Sequence, residues 1–396
     1  MFILILILLV IPLLILINYT YSSSARMSDR KKVVIVGGGL GGIFLARQLD
    51  KDFDVTVVEK KTAFFYNVAA LRCIVEPDMT KQCFLSYDKM LKNGKVVHHA
   101  ATAISAQKVV MDNGDELAFD YLVIATGSNN MTPFKAPADL SHAYQYYVDI
   151  REKVKTATKV LIVGGGPVGV ELAGEIKTEF KGKNVTLIQR SDKLVGPQMG
   201  KKFADKMHDK LKGMGINVML NTSLDVPDNI KQSLSEQSQL GYNVEMRTYQ
   251  TSNGEVEADL VFWCVGNKIN NELLQENFGG ALDEHGHIKV NEHLQVEGHD
   301  NVFAIGDITN TKELKTYYNA KYHAAIICTN LKACESKKKL AVYKPSGPLI
   351  FVSVGKNDGL AQTAGGTVIP GFVVKMVKSR GLFISMVQSS LGNPKP

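Results

Sequence analysis

Two glycine clusters with the same internal spacing are the residues best suited to chemistry in this chain of 396 residues. The glycines are Gly37, Gly39 and Gly42 in the first cluster and Gly164, Gly166 and Gly169 in the second. In a G-x-G-x-x-G pattern one glycine permits a tight turn, one lets the backbone approach a pyrophosphate, and one lets the next helix pack closely. The free N–H groups at the start of that helix then face the phosphates. The two clusters therefore predict two bound dinucleotides.

The first cluster has the strand, helix and acid that such a site requires. A β-branched run at 33–36 predicts a buried strand, and an apolar helix follows the glycines. A second strand at 55–58 ends in Glu59, about 20 residues after the first glycine. Glu59 can accept hydrogen bonds from ribose hydroxyls, which favours dinucleotide binding over an ordinary glycine-rich turn.

The second cluster lacks an acid at the corresponding position. Its second strand, at 185–188, ends in Gln189 and Arg190. A neutral side chain beside a cation tolerates a 2′-phosphate, so this half is expected to accept NADPH as well as NADH. The alternative is that Arg190 only points to solvent.

The order of the remaining strands predicts the architecture. Segments 121–127 and 301–307 are both predicted to be strands that are followed by a glycine. Segment 260–266 has the same pattern and is predicted to be the last strand of the second unit. We therefore predict an α/β fold with two Rossmann-like dinucleotide-binding domains, one inserted in the other, that hold two nucleotides face to face. The predicted parts are a first dinucleotide domain at 30–147 and 275–340, a second at 148–274, a small α+β segment at 341–396 and an apolar anchor at 1–25.

Composition excludes several other classes of protein. Hydrophobic residues make up 45% and charged residues 21%, which is typical of globular chains. The net charge is +7, and the cluster at 26–32 supplies much of it, so nucleic-acid binding is not expected. The five cysteines have no C-x-x-C or C-x-x-x-x-C spacing, which argues against a dithiol redox centre. No histidine pair has a metal-ligand spacing, so no metal is expected.

The N-terminal residues 1–17 are apolar throughout, with Pro12 in their middle. A helix of this length is at the short end of what crosses a bilayer. The basic cluster after it would leave the catalytic domains facing the cytosol. A single-span anchor, a shallow hairpin kinked at Pro12 and a cleaved signal peptide all remain open, and the first two predict a membrane-associated protein.

Six further segments carry a resemblance to a known family. They are NVAALR (67–72), EIKTEF (175–180), KINNE (268–272), VNEHLQVEGHDNVFAIGD (290–307), YKP (343–345) and KSRGLF (378–383). The chain resembles the FAD-dependent pyridine nucleotide-disulfide oxidoreductases without their disulfide, and within them the apoptosis-inducing-factor-like flavoproteins that include the ferroptosis suppressors. The resemblance runs from about Lys32 to about Val387. It implies FAD in the first half, NAD(P)H in the second and a membrane quinone as electron acceptor.

The resemblance also assigns residues to the FAD site. The residues it implies as cofactor contacts are Gly37, Gly38, Gly39, Leu40, Gly41, Gly42, Glu59, Arg72, Ala101, Gly127, Gly306 and Asp307. Asp307 would bind ribityl or pyrophosphate oxygens, although an acid after a strand can also cap a turn. A helix that begins near Thr316 would direct its positive end at the flavin N1 edge.

A lysine and two glutamates are the implied catalytic residues. Lys135 and Glu175 match a Lys–Glu pair that lies by the flavin N5 in this family. A lysine there stabilises negative charge as a hydride arrives, and a glutamate holds the lysine in place. Glu171 and Glu175 share one face of the helix after the second glycine loop. The alternative is two solvated glutamates on an amphipathic helix.

The C-terminal segment 371–387 places apolar side chains around Lys375, Lys378 and Arg380. Such a surface could rest on anionic lipid and admit an isoprenoid tail, or it could be an ordinary core element with solvated lysines. Tyr317 and Phe351 are candidates for quinone contact. Residue 2 is phenylalanine, so the myristoylation signal of the animal relatives is absent and the apolar segment would replace it.

The main functional hypothesis is an NAD(P)H:quinone oxidoreductase that produces a hydroquinone able to trap lipid radicals. One alternative is a type II NADH dehydrogenase of a respiratory chain. Another is a death effector, switched by its redox state, that binds nucleic acid. A homodimer is also compatible with the sequence.

Overall fold

The computed structural model describes residues 30–129, 133–134, 140–228, 230–231 and 241–392. The apolar segment 1–25 and Lys135 therefore lie outside the described residues. The described strands are, in chain order, β1 (Lys32–Val36), β2 (Asp54–Val58), β3 (Ala63–Phe65), β4 (Phe84–Ser86), β5 (Lys95–Val97), β6 (Ala101–Ile104), β7 (Lys108–Met111), β8 (Glu116–Ala118), β9 (Tyr121–Ile124), β10 (Ser128–Asn129), β11 (Lys159–Val163), β12 (Asn184–Ile188), β13 (Ile216–Met219), β14 (Tyr242–Thr251), β15 (Gly254–Trp263), β16 (Lys268–Ile269), β17 (Val302–Ala304), β18 (Ile350–Ser353), β19 (Gly359–Gln362) and β20 (Val368–Ile369).

The described α-helices connect and cover these strands. They are α1 (Leu40–Leu49), α2 (Ala70–Val75), α3 (Thr80–Cys83), α4 (Leu140–Thr156), α5 (Pro167–Glu179), α6 (Lys201–Gly213), α7 (Gln275–Phe278), α8 (Tyr317–Glu335), α9 (Gly371–Val374) and α10 (Ile384–Ser390). A π-helical turn, Lys375–Ser379, follows α9 directly.

The first dinucleotide half is built on a parallel sheet in the order β17-β9-β1-β2-β5. Strand β1 lies at its centre, and Val33 pairs with both Val55 and Tyr121. Side chains of β1 are buried on both faces, which explains why its sequence is a continuous apolar run rather than an alternating one. Helix α8 packs along α1 on one side of this sheet.

The second half repeats the plan with the order β13-β12-β11-β15-β14. Strand β11 is central and pairs in parallel with β12 and β15. The outer strand β14 is antiparallel to β15 and forms a long hairpin with it. The two Rossmann-like sheets expected from the sequence are therefore both present.

Two elements join the halves. Helix α4 runs across the boundary predicted between residues 147 and 148, so a continuous helix leads into the second half. On the return, β16 pairs with β10, in the register Ser128 with Ile269. The chain therefore comes back to the first half beside the point where it left it.

The C-terminal segment begins with an antiparallel sheet in the order β18-β19-β20. This sheet packs directly on helix α5 at Gly174. A Cβ atom at that position would lie only 2.8 Å from the Cα of Val354, the residue that follows β18. Any larger residue at position 174 would push the sheet away from the helix. The C-terminal sheet thus packs against the second dinucleotide half.

Two buried cysteines meet although their spacing in the sequence does not indicate it. The Sγ atoms of Cys73 and Cys83 are 3.8 Å apart, a thiol contact rather than a disulfide. Within the described part of the chain, no helix combines the length and the apolar character that a membrane span requires. Within the same part, no three His, Cys, Asp or Glu side chains converge as metal ligands.

Candidate active site

The first glycine loop has the geometry of a pyrophosphate cradle. Gly37 has φ of +110°, a conformation that side chains rarely adopt. A Cβ at Gly42 would lie 2.0 Å from the Gly37 carbonyl oxygen, so α1 can approach the loop only because residue 42 is glycine. The Gly38 N–H donates to Glu59 Oε2 over 2.8 Å, and this bond holds the acid beside the loop.

The start of α1 leaves room for an anion. Gly39 caps this helix without a side chain, so its first N–H groups are free of a capping partner. A Cβ at Gly39 would meet no described atom within 4 Å, whereas one at Gly41 would lie 3.1 Å from Ile305. Leu40 is the first residue of the helix. Open space before uncapped N–H groups fits the pyrophosphate of FAD.

The second loop reproduces this geometry almost atom for atom. Gly164 also has φ of +110°, and a Cβ at Gly169 would lie 1.9 Å from the Gly164 carbonyl oxygen. Gly166 caps α5 without a side chain. The Gly165 N–H donates to Gln189 Oε1 over 2.8 Å, the same bond that Glu59 makes in the first loop. Arg190 is exposed beside it.

Asp307 follows a turn that a buried network holds in place. Gly306 has φ of +79°, and Ser128 Oγ donates to Asp307 Oδ2 over 2.6 Å. The Gly306 N–H donates to His323 Nδ1 over 3.1 Å, so the proton of the neutral imidazole lies on Nε2. This backbone bond ties the Asp307 turn to helix α8.

The network continues from His323 to a buried carboxylate. His323 Nε2 donates to Glu313 Oε1 over 2.7 Å, and the Tyr343 hydroxyl donates to the other oxygen of Glu313. Burial alone would raise the pKa of Glu313, but the hydrogen bonds from His323 and Tyr343 together outweigh it and hold the pKa below its usual range. The carboxylate is therefore ionised at neutral pH.

Helix α8 begins at Tyr317, where the sequence predicts a helix. The Thr316 side chain caps it by accepting a hydrogen bond from the Asn319 N–H. The Tyr317 ring packs on Phe44 of α1, with ring centroids 5.7 Å apart. The positive end of α8 thus lies against the helix of the first glycine loop.

A buried ion pair connects α2, α5 and the C-terminal segment. Arg72 donates from Nε and Nη2 to the two oxygens of Glu175, over 2.5 and 2.7 Å. Arg72 Nη2 also donates to the Ser379 carbonyl oxygen over 3.0 Å. Burial raises the pKa of Glu175 and the Arg72 guanidinium opposes this rise.

A second buried pair involves the other glutamate of α5. Lys378 Nζ donates to Glu171 Oε1 over 2.6 Å and to the Phe351 carbonyl oxygen over 2.8 Å. The Ser353 N–H also donates to Glu171, over 3.0 Å. Glu171 and Glu175 are 8% and 2% exposed, so the alternative of two solvated glutamates is wrong. Lys135, the predicted partner of Glu175, lies outside the described residues, so that pair stays a prediction.

The other predicted site residues lie in separate elements. Gly127 has φ of +63°, and its carbonyl oxygen accepts from the Asn270 N–H over 3.0 Å. Ala101 is half-buried at the start of β6, in the three-stranded sheet β6-β7-β8. Phe351 is half-buried in β18, and its carbonyl receives Lys378. Their contacts with a cofactor or substrate stay predictions.

Sequence reasoning missed three groups of these networks. His323 and Glu313 were not singled out, and Lys378 was interpreted only as a basic neighbour of apolar residues. A signal was present for two members of the networks, because Tyr343 and Lys378 lie in the YKP and KSRGLF segments that carry the resemblance. Each of these segments provides a buried partner, Lys378 for Glu171 of α5 and Tyr343 for Glu313.

Two glycine cradles of the same geometry, one beside an acid and one beside an amide, define the class as proteins that bind two dinucleotides. The family described as "Pyridine nucleotide-disulphide oxidoreductase" matches residues 31–324, and the chain belongs to it. The chain is accordingly an FAD-dependent NAD(P)H oxidoreductase.

Three known proteins illustrate the similarity. Apoptosis-inducing factor homolog A of Dictyostelium discoideum is 42% identical over 392 residues, which cover 96% of each chain. Human ferroptosis suppressor protein 1 is 36% identical over 375 residues, 92% of this chain and 96% of that one. The sulfide:quinone oxidoreductase of Aquifex aeolicus has a similar fold, with a TM-score of 0.74 at 17% identity over 92% of this chain and 93% of that one.

Proposed function

We propose that this flavoprotein passes electrons from NAD(P)H to a membrane quinone, and that the hydroquinone product protects lipids from peroxidation. The similarity to proteins named as ferroptosis suppressors supports this direction. The membrane, the quinone and the protective role are the proposed parts. The observation that carries the proposal is the structure of the C-terminal segment.

The C-terminal segment presents apolar side chains outward and polar groups inward. The exposed apolar side chains are Phe372, Met376, Val377 and Met386, of which Phe372 and Met376 are each 67% exposed. Within the same stretch, Lys378 and the Ser379 carbonyl are buried against Glu171 and Arg72. An exposed apolar surface on a soluble enzyme marks a contact with another apolar body. Here that surface lies a few residues from the buried ion pairs, which supports an acceptor that arrives from lipid.

The residues of this chain have separate roles in the proposed reaction. When bound, FAD takes a hydride from NAD(P)H and delivers two electrons to the acceptor. Glu59 orients the first loop, and Gln189 orients the second. Arg72 and Lys378 hold Glu175 and Glu171 in fixed positions on α5, and through them they fix the C-terminal segment against the second half. Lys135 and Glu175 would act beside it as the implied catalytic pair.

The apolar residues 1–17 extend the proposal to membrane attachment. They lie outside the described residues, and the proposal rests on their sequence and on the basic residues that follow. A protein that remains in the membrane pellet after carbonate extraction, and that is released when residues 1–25 are deleted, would support the anchor. Release of the full chain would contradict it.

The enzymatic test uses purified protein, NADH or NADPH, and two quinones. We expect the yellow protein to be bleached by either nucleotide and to recover its colour with a short-chain quinone, with one hydroquinone formed per nucleotide oxidised. In vesicles that contain a long-chain quinone, it should also slow lipid peroxidation. Bleaching without recovery on quinone addition would overturn the proposed acceptor while leaving the oxidoreductase class intact.

The exposed apolar surface of the C-terminal segment has a matched control on strand β14 of the second half. Replacing Phe372 and Met376 by serine should reduce turnover of the long-chain quinone in vesicles and leave that of the short-chain quinone unchanged. Val244 and Met246 are similarly exposed, at 55% and 59%, on the outer strand β14. Their replacement by serine should leave both activities unchanged. Equal losses in the two double variants would show that the C-terminal surface has no special role.

The alternative functions give different results. A type II NADH dehydrogenase would perform the same half-reactions but would be found with a respiratory membrane, so fractionation separates the two hypotheses. A nucleic-acid-binding death effector would retard DNA in a gel, and salt would weaken that shift steeply.

A further inference from the structure

Three buried hydroxyl groups on segments that pack together or near Glu171 have no hydrogen-bond partner among the described residues. They belong to Tyr66, Tyr317 and Ser353. Tyr66 and Ser353 are each 1% exposed, so solvent does not provide the missing bond. Buried tyrosine hydroxyls normally find a partner, and three unpaired hydroxyls in one neighbourhood indicate that a ligand supplies the partner.

These hydroxyls come from separate segments that converge. The Tyr66 and Tyr317 rings meet edge to face, with centroids 6.5 Å apart. Tyr66 also lies close enough to Glu171 to interact with its charge. Ser353 donates its backbone N–H to Glu171, while its side-chain oxygen remains unpaired. Tyr66 and Ser353 therefore both lie near Glu171, and Tyr317 joins them through its ring contact with Tyr66.

The chemistry of this place selects a flat apolar ligand with carbonyl oxygens. Phe44, Tyr66 and Tyr317 supply aromatic surface. Burial raises the pKa of both tyrosines, so the two phenols keep their protons at neutral pH and act as hydrogen-bond donors. Lys378 and the Ser353 N–H both donate to Oε1 of Glu171, and neither tyrosine hydroxyl makes a hydrogen bond to this carboxylate. Both hydroxyls are therefore free to donate to the oxygen of an incoming ligand.

We propose that the hydroxyls of Tyr66 and Tyr317 hold the quinone ring by donating hydrogen bonds to its carbonyl oxygen, with Ser353 as a third contact. This inference rests on the proposed function and assigns residues to its acceptor site. The overall reaction is NAD(P)H + H⁺ + quinone → NAD(P)⁺ + hydroquinone. Its two electrons and one hydrogen come from the nucleotide as hydride, and the second proton comes from water. The tyrosines orient and polarise the carbonyl and keep their own protons.

The link between Ser353 and the exposed apolar surface of the C-terminal segment supports a quinone over a water-soluble ligand. Ser353 ends β18, and Lys378 binds the Phe351 carbonyl in the same strand. Lys378 in turn belongs to the turn that exposes Met376 and Val377. The Ser353 end of this neighbourhood is thus linked through β18 and Lys378 to the exposed apolar surface, which suits a ring whose tail stays in lipid.

The test separates the two half-reactions in an anaerobic stopped-flow instrument. Tyr66→Phe, Tyr317→Phe and the double variant are reduced with NADH and then oxidised either by a short-chain benzoquinone or by ferricyanide, which has no carbonyl oxygen. In the double variant we expect oxidation by the quinone to slow roughly tenfold, with a raised quinone KM. Reduction by NADH and oxidation by ferricyanide should keep the wild-type rates.

A control and an independent readout accompany the kinetics. Tyr249→Phe removes the hydroxyl of a largely buried tyrosine of β14 in the second half and should change neither acceptor reaction. Quinone affinity, measured by quenching of flavin fluorescence in the oxidised protein, should fall in the Tyr66 and Tyr317 variants and not in Tyr249→Phe.

Three results would overturn the inference. Unchanged quinone oxidation in the double variant would show that the hydroxyls do not touch the acceptor. A changed flavin spectrum, or loss of FAD during purification, would show that they serve the cofactor instead. If the wild-type protein is bleached by NADH but is not oxidised by any quinone, the proposed function itself fails, and this inference fails with it.

Discussion

The two dinucleotide halves share the geometry of their glycine loops and differ in the helix that follows. The backbone dihedral at Gly37 equals that at Gly164, and both loops bind the end of their second strand through one N–H donor. Helix α1 then continues with buried Phe44 and exposed Gln48. The corresponding positions of α5 are the buried Glu171 and Glu175. The glycine loop therefore has the same nucleotide-binding geometry in both halves, whereas the residues of the following helix differ between them.

The largest effect should come from removing a buried charge of α5. Glu175→Ala leaves the Arg72 guanidinium buried without its carboxylate, which should lower the free energy of unfolding by about 3–5 kcal/mol. We expect FAD to be retained and flavin reduction by NAD(P)H to slow. Urea unfolding and stopped-flow absorbance measure the two effects.

The equivalent position in the first half provides the control for that variant. Gln48→Ala should change stability by about 0.5 kcal/mol or less, because the side chain is exposed. If Glu175→Ala and Gln48→Ala lowered the free energy of unfolding equally, the buried glutamate of α5 would contribute no more to stability than the exposed glutamine of α1. An unchanged reduction rate in Glu175→Ala would remove Glu175 from the catalytic pair.

A smaller effect should distinguish which nucleotide each loop binds. Gly39→Ala and Gly166→Ala place a methyl group in open space, so the chain tolerates them while the pyrophosphate loses its room. We expect affinity to fall roughly 30-fold, or ~2 kcal/mol, for FAD in Gly39→Ala and for NADH in Gly166→Ala. Bound flavin is measured from the visible spectrum, and NADH affinity from the dependence of the flavin reduction rate on NADH concentration.

Gly182 lies in a surface turn and also has open space around it. Gly182→Ala should therefore bind both nucleotides normally. Loss of FAD in Gly166→Ala would reverse the assignment of the two halves.

The side chain at the end of the second strand should set a still smaller preference. Gln189→Glu keeps the acceptor for the Gly165 N–H but brings a negative charge to the ribose site. Repulsion of a 2′-phosphate should raise the KM for NADPH about tenfold, or ~1.4 kcal/mol, and change that for NADH little. Equal changes for both nucleotides would show that residue 189 does not contact the ribose. Arg190→Ala tests separately whether the neighbouring cation contributes.

The smallest effect concerns the turn at Gly306, which belongs to the first half. Tyr343→Phe removes one hydrogen bond that lowers the pKa of Glu313. A depressed carboxyl pKa stabilises the fold above the unfolded pKa of about 4.3, and this contribution is lost as the pH falls through the folded value. The variant should lose about 1 kcal/mol at neutral pH and unfold in acid at a higher pH than wild type. Circular dichroism across an acid titration measures this shift, and an unchanged midpoint would contradict it.

Local sequence patterns were sufficient for the two sheets and both cradles. The glycine spacing, the apolar runs of β1 and β11 and the residues that end the second strands are local features, and each corresponds to one backbone geometry. The start of helix α8 near Thr316 was implied by the family resemblance, and the structure gives its local cause, because the Thr316 side chain caps the helix.

The partners of the buried charges could not be predicted because they depend on contacts between distant segments. Arg72 and Glu175 are 103 residues apart, and Glu171 and Lys378 are 207 apart. A charged residue carries no local signal that says whether it will be buried. The contact between Cys73 and Cys83 was missed for the same reason, since it depends on how α2 and α3 pack.

The π-helical turn at Lys375–Ser379 joins two environments within five residues. Its wider winding leaves Met376 at the surface while Lys378 and Ser379 face the interior. The inner residues are bonded to Glu171 and Arg72, so a change in the backbone of this turn would shift the outer apolar side chain and the two buried ion pairs together. The shape of the exposed surface and the position of the buried glutamates on α5 are therefore not independent of each other.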